Sequence, residues 1–422
     1  MKRRRFLKST LCAGVSYIAV GRSSRGYAAP TAAAQPAYDL KRTVSARLFD
    51  DTHCYCHPRA GIVPGAGQKG APAVVMLMNS LRLNGSDIFE RNLMQRTDDL
   101  GETWTEPREC ESLAPRQEEI EGERRWIAGA NFWPQWHQRS QTLLATGLDV
   151  VYAPDWRIPA VRPQHATYTV YDQAQGRWQP YRTLDVPDST KFVRMAAGST
   201  QRNDLADGTI LLPCHYRTSS SIAGAAGRAR VAVIQCSFDG QTLKYKNHGR
   251  EIDLNDGTRG LFEPSLTRFD DRYFLTIRHN ERAFVTRSRD GLDFEAIRPW
   301  TFDDGADLGS YNTQAHWVTH RNGLFLVYTR RGANNDHVFR HRAPLFMAQV
   351  DPKRLCVLRA SERILVPERG ARLGNFGVTD VSPDETWVTV AEWMQPPTAS
   401  QHGSDGSVFV VRIHWASGKV GG

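Results

Sequence analysis

A turn that keeps returning after β-patterned runs constrains this chain of 422 residues more than any other feature. In its fullest form it reads Thr97-Asp98-Asp99-Leu100-Gly101-Glu102-Thr103-Trp104. It recurs as Ser288-Arg289-Asp290-Gly291 and, degenerately, as Ser237-Phe238-Asp239-Gly240. Each copy closes a stretch in which apolar and polar side chains alternate, as at Tyr273, Leu275 and Ile277, then Ala283 and Val285. Alternation at period two, punctuated by Gly and Asp, marks short antiparallel strands joined by tight turns. Helical periodicity is nearly absent.

Six units with this layout can be marked off. The first runs from about 60 to 112, and the second contains TYTVYDQAQGRW. The third pairs GTILLPCHYR with RVAVIQCSFDG, and the fourth is the run from 261 to 294. The fifth holds AHWVTHRNGLFLVYTRR and APLFMAQVD, and the sixth holds NFGVTDVSPDETWVTVAEW and SVFVVRIHW. Strand runs at regular spacing predict an all-β chain folded as a six-bladed β-propeller of four-stranded blades. A single domain is expected over residues 40–418. The strand-like segment from about 42 to 50 is placed to complete the last blade, which removes a free sheet edge.

The net charge of +9 suggests a nucleic-acid partner only at first sight. Residues 1–34 carry Lys2, Arg3, Arg4, Arg5, Lys8, Arg22 and Arg25 and no acid, which leaves about +2 for the rest. That leader, KRRRFLK followed by an apolar run from Leu11 to Val20, resembles a twin-arginine export signal. Its apolar run falls short of the ~20 residues that span a bilayer. The expectation is an exported protein, periplasmic or secreted, with no stable membrane anchor and no nucleic-acid partner. Six cysteines follow the leader, too few in so long a chain for a disulfide scaffold. The run His53-Cys54-Tyr55-Cys56-His57 invites a metal reading. Alternation, however, sends its cysteines and histidines to opposite faces of a strand, so a structural role or a disulfide for one cysteine is expected, with neither metal nor cofactor.

Chemistry concentrates in the fourth unit. Glu263 precedes a short strand expected at Leu266 to Phe269, and Arg278 ends the next strand, so an antiparallel pairing brings carboxylate and guanidinium to one end. The unit's tail, SRDGLDF, resembles the Asp-box turn of sialidases, S-x-D-x-G-x-x-W, with Phe294 for Trp. The resemblance extends to other positions. Arg59 in HPRAGIV is similar to the first of the family's three carboxylate-binding arginines, Arg278 to the second, and Arg342 in HRAPLFMAQVD to the third. Arg82 and Asp87 in LRLNGSD resemble the first-blade arginine and the acid/base aspartate, and Glu263 in FEPS resembles the family's glutamate.

The resemblance implies a glycoside hydrolase acting on a terminal acidic sugar. Guanidinium suits that task because it is planar, always charged and binds carboxylate with two parallel hydrogen bonds. The segment where the family carries its nucleophilic tyrosine reads GNFGVTD, without Tyr. Tyr311 from a neighbouring blade, His316 as acid/base, or a water activated by Glu263 are the substitutes. Two rival readings remain. One is a hydrolase or lyase acting on a polysaccharide rich in uronic acid or rhamnose, using His316 with Tyr311. The other is a propeller that binds carbohydrate without turning it over.

Overall fold

The computed structural model describes residues 38–416 except 86, 160–161, 189 and 219–226. The leader lies outside them. Strand order follows from alternation. In Ala73–Arg82 the side chains of Ala73, Val75 and Leu77 pack toward the second blade, while Val74, Met76 and Met78 pack toward the sixth. Both faces are therefore buried, and the strand reads as an unbroken apolar run. Gly323–Tyr328 does the same between blades four and six. Its Leu324, Leu326 and Tyr328 face one way, and Phe325 and Val327 the other.

Six sheets result. Blade one is His53–Val63, Ala73–Arg82, Ile88–Thr97 and Arg108–Glu109. Blade two is built on Glu123–His137, Thr142–Tyr152 and Ala166–Asp172, blade three on Arg194–Ala196, Thr209–Arg217, Arg230–Phe238 and Leu243–His248. Blade four is Phe262–Phe269, Arg272–Arg278, Phe284–Ser288 and Arg298–Pro299, and blade five starts at His316–His320. Blade six takes Phe376–Ser382, Glu385–Ala391 and Ser407–Trp415, and Tyr38–Arg47 pairs antiparallel along Ser407–Trp415 as its outermost strand. Closing the last sheet with the first strand leaves the ring without an open seam.

The recurrent turns link the third and fourth strands. Thr97 Oγ1 donates to Asp99 Oδ1 at 2.8 Å and accepts from Gly101 N–H, while Asp99 accepts from the backbone and hydroxyl of Thr103. Ser288 and Asp290 repeat the arrangement in blade four. The aromatic that ends each motif wedges into a neighbour: Trp104 lies against Trp387 of blade six, and Phe294 packs in a cluster with Leu211 of blade three.

Near the axis the inner strands and the segments beside them share a second device. His57, Asn131, Ser199, Glu263 and Asn312 all have positive φ, from 40° to 60°. In blades one, two and four this residue lies within a bulge that shifts the register. An L-residue in that conformation is strained by about 1 kcal/mol or more. Two residues further on, Arg59, Trp133, Ser265 and Gln314 turn inward to the hub. There Arg59 donates to Ser199 Oγ and Gln314 Oε1, and its guanidinium lies over the Trp133 ring. Gly377 permits this, because a Cβ there would sit 2.9 Å from Arg59 Cγ.

The six described cysteines, Cys54 to Cys356, are all buried and free, which corrects the expected disulfide. Cys54 and Cys56 lie in one apolar cluster, and burial pushes the Cys54 thiol up to about 12. Among the described residues no group of His, Cys, Asp and Glu side chains gathers as a metal site, and no helix is long and apolar enough to cross a membrane.

Candidate active site

One end of the ring axis opens into a cavity of about 430 Å³. Glu263 is its best-defined corner. The strand containing it begins at Phe262, not at Leu266 as expected, because the bulge that turns Glu263 lies inside the strand. Phe262 is the register partner of Arg278, so carboxylate and guanidinium meet at the same end of the hairpin. Arg278 Nη1 donates to both carboxylate oxygens at 2.8 Å, and its Nη2 donates to Asn312 Oδ1 at 2.8 Å. Burial pushes the Glu263 carboxyl up, but the charge and hydrogen bonds of Arg278, with His215 and Arg342 nearby, outweigh it and hold the group ionised below its ordinary range.

His215 completes this corner. The Glu263 N–H donates to His215 Nδ1 at 3.3 Å, which leaves the proton of a neutral ring on Nε2. Burial lowers the His215 pKa to about 4, against the opposing pull of Glu263, so the imidazole is neutral at pH 7. His57 also lines the cavity, edge-on to Phe89 and Trp393, and burial drives its pKa well down. Asp87, from the turn between the second and third strands of blade one, reaches the same cavity with φ at 57°.

The rest of the charge is positive. Beside Arg278, one wall carries Arg340, Arg342 and Arg372. Arg342 is 4% exposed and donates to the Asn312 carbonyl. Burial, then Arg278 and Arg340, push its pKa well below the usual value. Arg372 is lowered to about 10 by burial and Arg340. Arg162, Arg194 and Arg217 occupy the wall built by blades two and three, and Arg259 lies between the two groups. Among the described residues, eight guanidinium groups thus face two carboxylates. Of the eight, only Arg278 forms an ion pair within 4 Å that the described residues account for. Burying like charges together without counter-charge is costly, and an anionic ligand relieves that cost.

No protein-family model matches the chain, and no curated protein matches it. Solved structures do. A Dyadobacter fermentans protein of unknown function aligns with TM-score 0.59 at 12% identity, over 89% of this chain and 99% of that one. The NanB sialidase of Streptococcus pneumoniae, as its K499G mutant, aligns with TM-score 0.57 at 10% identity, over 87% and 70%. Trypanosoma rangeli sialidase in complex with sialic acid aligns with TM-score 0.53 at 12% identity, over 91% of this chain. The aligned region is 60% of that trypanosomal chain. The fold is a sialidase-like six-bladed β-propeller.

Within this sialidase-like propeller, the residues singled out from the sequence separate into two groups. Asp87, Glu263, Arg278 and Arg342 line the cavity. Arg59 does not: the bulge at His57 and Pro58 turns His57 to the cavity and Arg59 into the hub, fully buried. Arg82 ends its strand paired to Glu90, with its guanidinium over Trp156, and stays outside the lining. Tyr311 hydrogen-bonds His341 Nδ1 at 2.6 Å under the guanidinium of Arg331, also outside it. His316 belongs to the hub, bonded to Ser265 Oγ and Gln314 Oε1 between Trp133 and Phe376. Among the described residues no tyrosine lines the cavity. Sequence reading weighed His57 only as a metal ligand and missed His215, Arg162, Arg194, Arg217, Arg259, Arg340 and Arg372. One signal was available for Arg217, which ends the second strand of blade three as Arg278 ends that of blade four.

Proposed function

We propose that this propeller is a glycoside hydrolase that takes a terminal acidic sugar. The observation that carries the reading is the crowding of eight arginines around two carboxylates in a single cavity. In this reading Arg278 and Arg342 hold the sugar carboxylate, and Arg372 from the same wall replaces Arg59 as the third cation. Bidentate guanidinium contacts fix the sugar ring against the cavity floor. Asp87 donates a proton to the leaving glycosidic oxygen. Glu263, kept ionised by Arg278, receives the proton of an attacking water, since the candidate Tyr311 is engaged with His341 elsewhere.

A second reading draws on the ionised carboxylate of Glu263 beside the neutral imidazole of His215. With a uronic-acid carboxylate neutralised by the arginines, Glu263 would take the proton α to it while the glycosidic bond at the β carbon breaks, leaving a carbon–carbon double bond and a leaving oxygen protonated by Asp87, as a lyase requires. Export through the leader belongs to the same proposal and places the enzyme where extracellular glycans are met.

Incubation with a panel of sialylated and uronic-acid-terminated glycosides separates these readings. Release of a free acidic sugar, lost in Arg278→Ala, supports hydrolysis. An unsaturated, ultraviolet-absorbing product supports elimination. Binding of the panel with no product from any member would overturn both.

A further inference from the structure

The wall formed by blades two and three holds a second cationic cluster that a lone sugar carboxylate does not account for. Arg194 and Arg217 are cross-strand register partners at the ends of their strands. Like charges placed opposite each other destabilise a sheet, so the pairing is a cost. Arg162 joins them because Gln164, two residues on, bridges to Arg194, and Met195 N–H donates to the Gln164 carbonyl at 2.9 Å. The Nε groups of Arg162 and Arg194 are buried without a hydrogen-bond partner among the described residues. Arg217 and Arg259 lie over the ring of Phe262, the residue that precedes Glu263. None of Arg162, Arg194 and Arg217 makes an ion pair within 4 Å that the described residues account for, and all three line the same cavity as Arg342.

Resting on the hydrolase reading above, we propose that the cavity takes a saccharide with two anionic groups. The first is the terminal carboxylate at Arg278 and Arg342. The second is an oxyanion on the adjoining residue, a carboxylate, sulfate ester or phosphate ester, held by Arg162, Arg194 and Arg217. The cavity of about 430 Å³ suits a ligand of more than one sugar ring. Tetrahedral and planar oxyanions share the chemistry of several forked N–H donors, so the arms of the test distinguish them.

The test uses the full chain and matched disaccharides ending in one acidic sugar, whose neighbouring ring carries a hydroxyl, a carboxylate, a sulfate ester or a phosphate ester. Kd is read by calorimetry at two salt concentrations, and kcat/KM where turnover occurs. One of the dianionic probes is expected to bind about 10-fold to 100-fold more tightly than the hydroxyl probe, as charge-assisted contacts imply. That ratio should collapse toward one in Arg194→Gln/Arg217→Gln, and its salt dependence should weaken. Arg217→Lys, which keeps the charge but loses the fork, should retain part of the preference and serves if the double variant does not fold. A wild-type ratio near one for all three dianionic probes, with the monoanionic probe still bound, overturns this inference and leaves the hydrolase reading standing. Failure of every acidic probe to bind overturns both.

Discussion

The two ends of blade four use a carboxylate for opposite purposes. At one end Ser288 and Asp290 close a turn. The Asp290 carboxylate accepts from the backbone N–H groups of Leu292 and Asp293 at 2.9 Å and from the Ser288 hydroxyl at 2.8 Å. Every partner lies within five residues, so local bonding absorbs the charge. At the other end Glu263 pairs with Arg278 across the hairpin and faces a cavity that the other five blades also line. There the paired arginine lies across the hairpin, the other arginines come from remote blades, and the surrounding charge is left in excess. The recognisable turn motif is thus architecture, while the chemistry sits at the opposite end of the same strands, where only the Glu263–Arg278 pair is local to one hairpin.

If that contrast is right, substitutions at the two ends must separate activity from stability. The largest effect is expected for Arg342→Ala and Glu263→Gln, each lowering kcat/KM on an acidic glycoside by about 10³-fold. Thermal unfolding of Arg342→Ala should stay within a few degrees of wild type, since it removes a buried cation that has no ion pair, whereas Glu263→Gln leaves Arg278 without its carboxylate and should cost about 3–5 kcal/mol of stability. Wild-type kinetics in either would erase the distinction between the ends.

Acid comes next. His215, lowered to about 4, and His57 and His316, both driven well down, are neutral in the native state. A histidine with a depressed folded pKa binds fewer protons than the unfolded chain between the two values. Its stabilisation is therefore full above about pH 6.5 and is lost as pH falls toward 4. For His215 alone this amounts to up to ~3 kcal/mol. Urea midpoints should fall steadily from pH 7 to pH 5, and a flat profile over that window would contradict burial of neutral imidazoles at this end of the ring.

Ser288→Ala, at the turn end, should cost about 1–2 kcal/mol in denaturant unfolding, because it strands the Gly291 N–H, and it should leave kcat/KM intact. A drop in activity without a drop in stability would show the turn to be more than architecture. Smallest of all is Tyr311→Phe. Its hydroxyl serves His341 rather than the cavity, so a change in kcat/KM beyond about two-fold would return Tyr311 to the chemistry.

Much of the ring was legible in advance, because alternation and turn residues act over a few positions. The run VVMLM is apolar on both faces since each face meets another blade, and Thr97, Asp99 and Gly101 specify their turn by bonds within seven residues. Glu263 and Arg278 were readable for the same reason, as partners across one hairpin. Arg59 was misplaced by a single bulge. Shifting the register exchanges which side chain faces inward, so His57 took the cavity and Arg59 the hub.

By itself, then, the order of residues determined the strands, their turns, the count of blades and the hairpin corner, because those depend on contacts between near neighbours. Only the closed ring decided which arginines share a cavity. Arg162, Arg194, Arg217, Arg342 and Arg372 come from four separate sectors, and nothing along the chain couples them. Their meeting is set by strand ends, bulges and the curvature of six packed sheets, which are long-range properties of the assembled molecule.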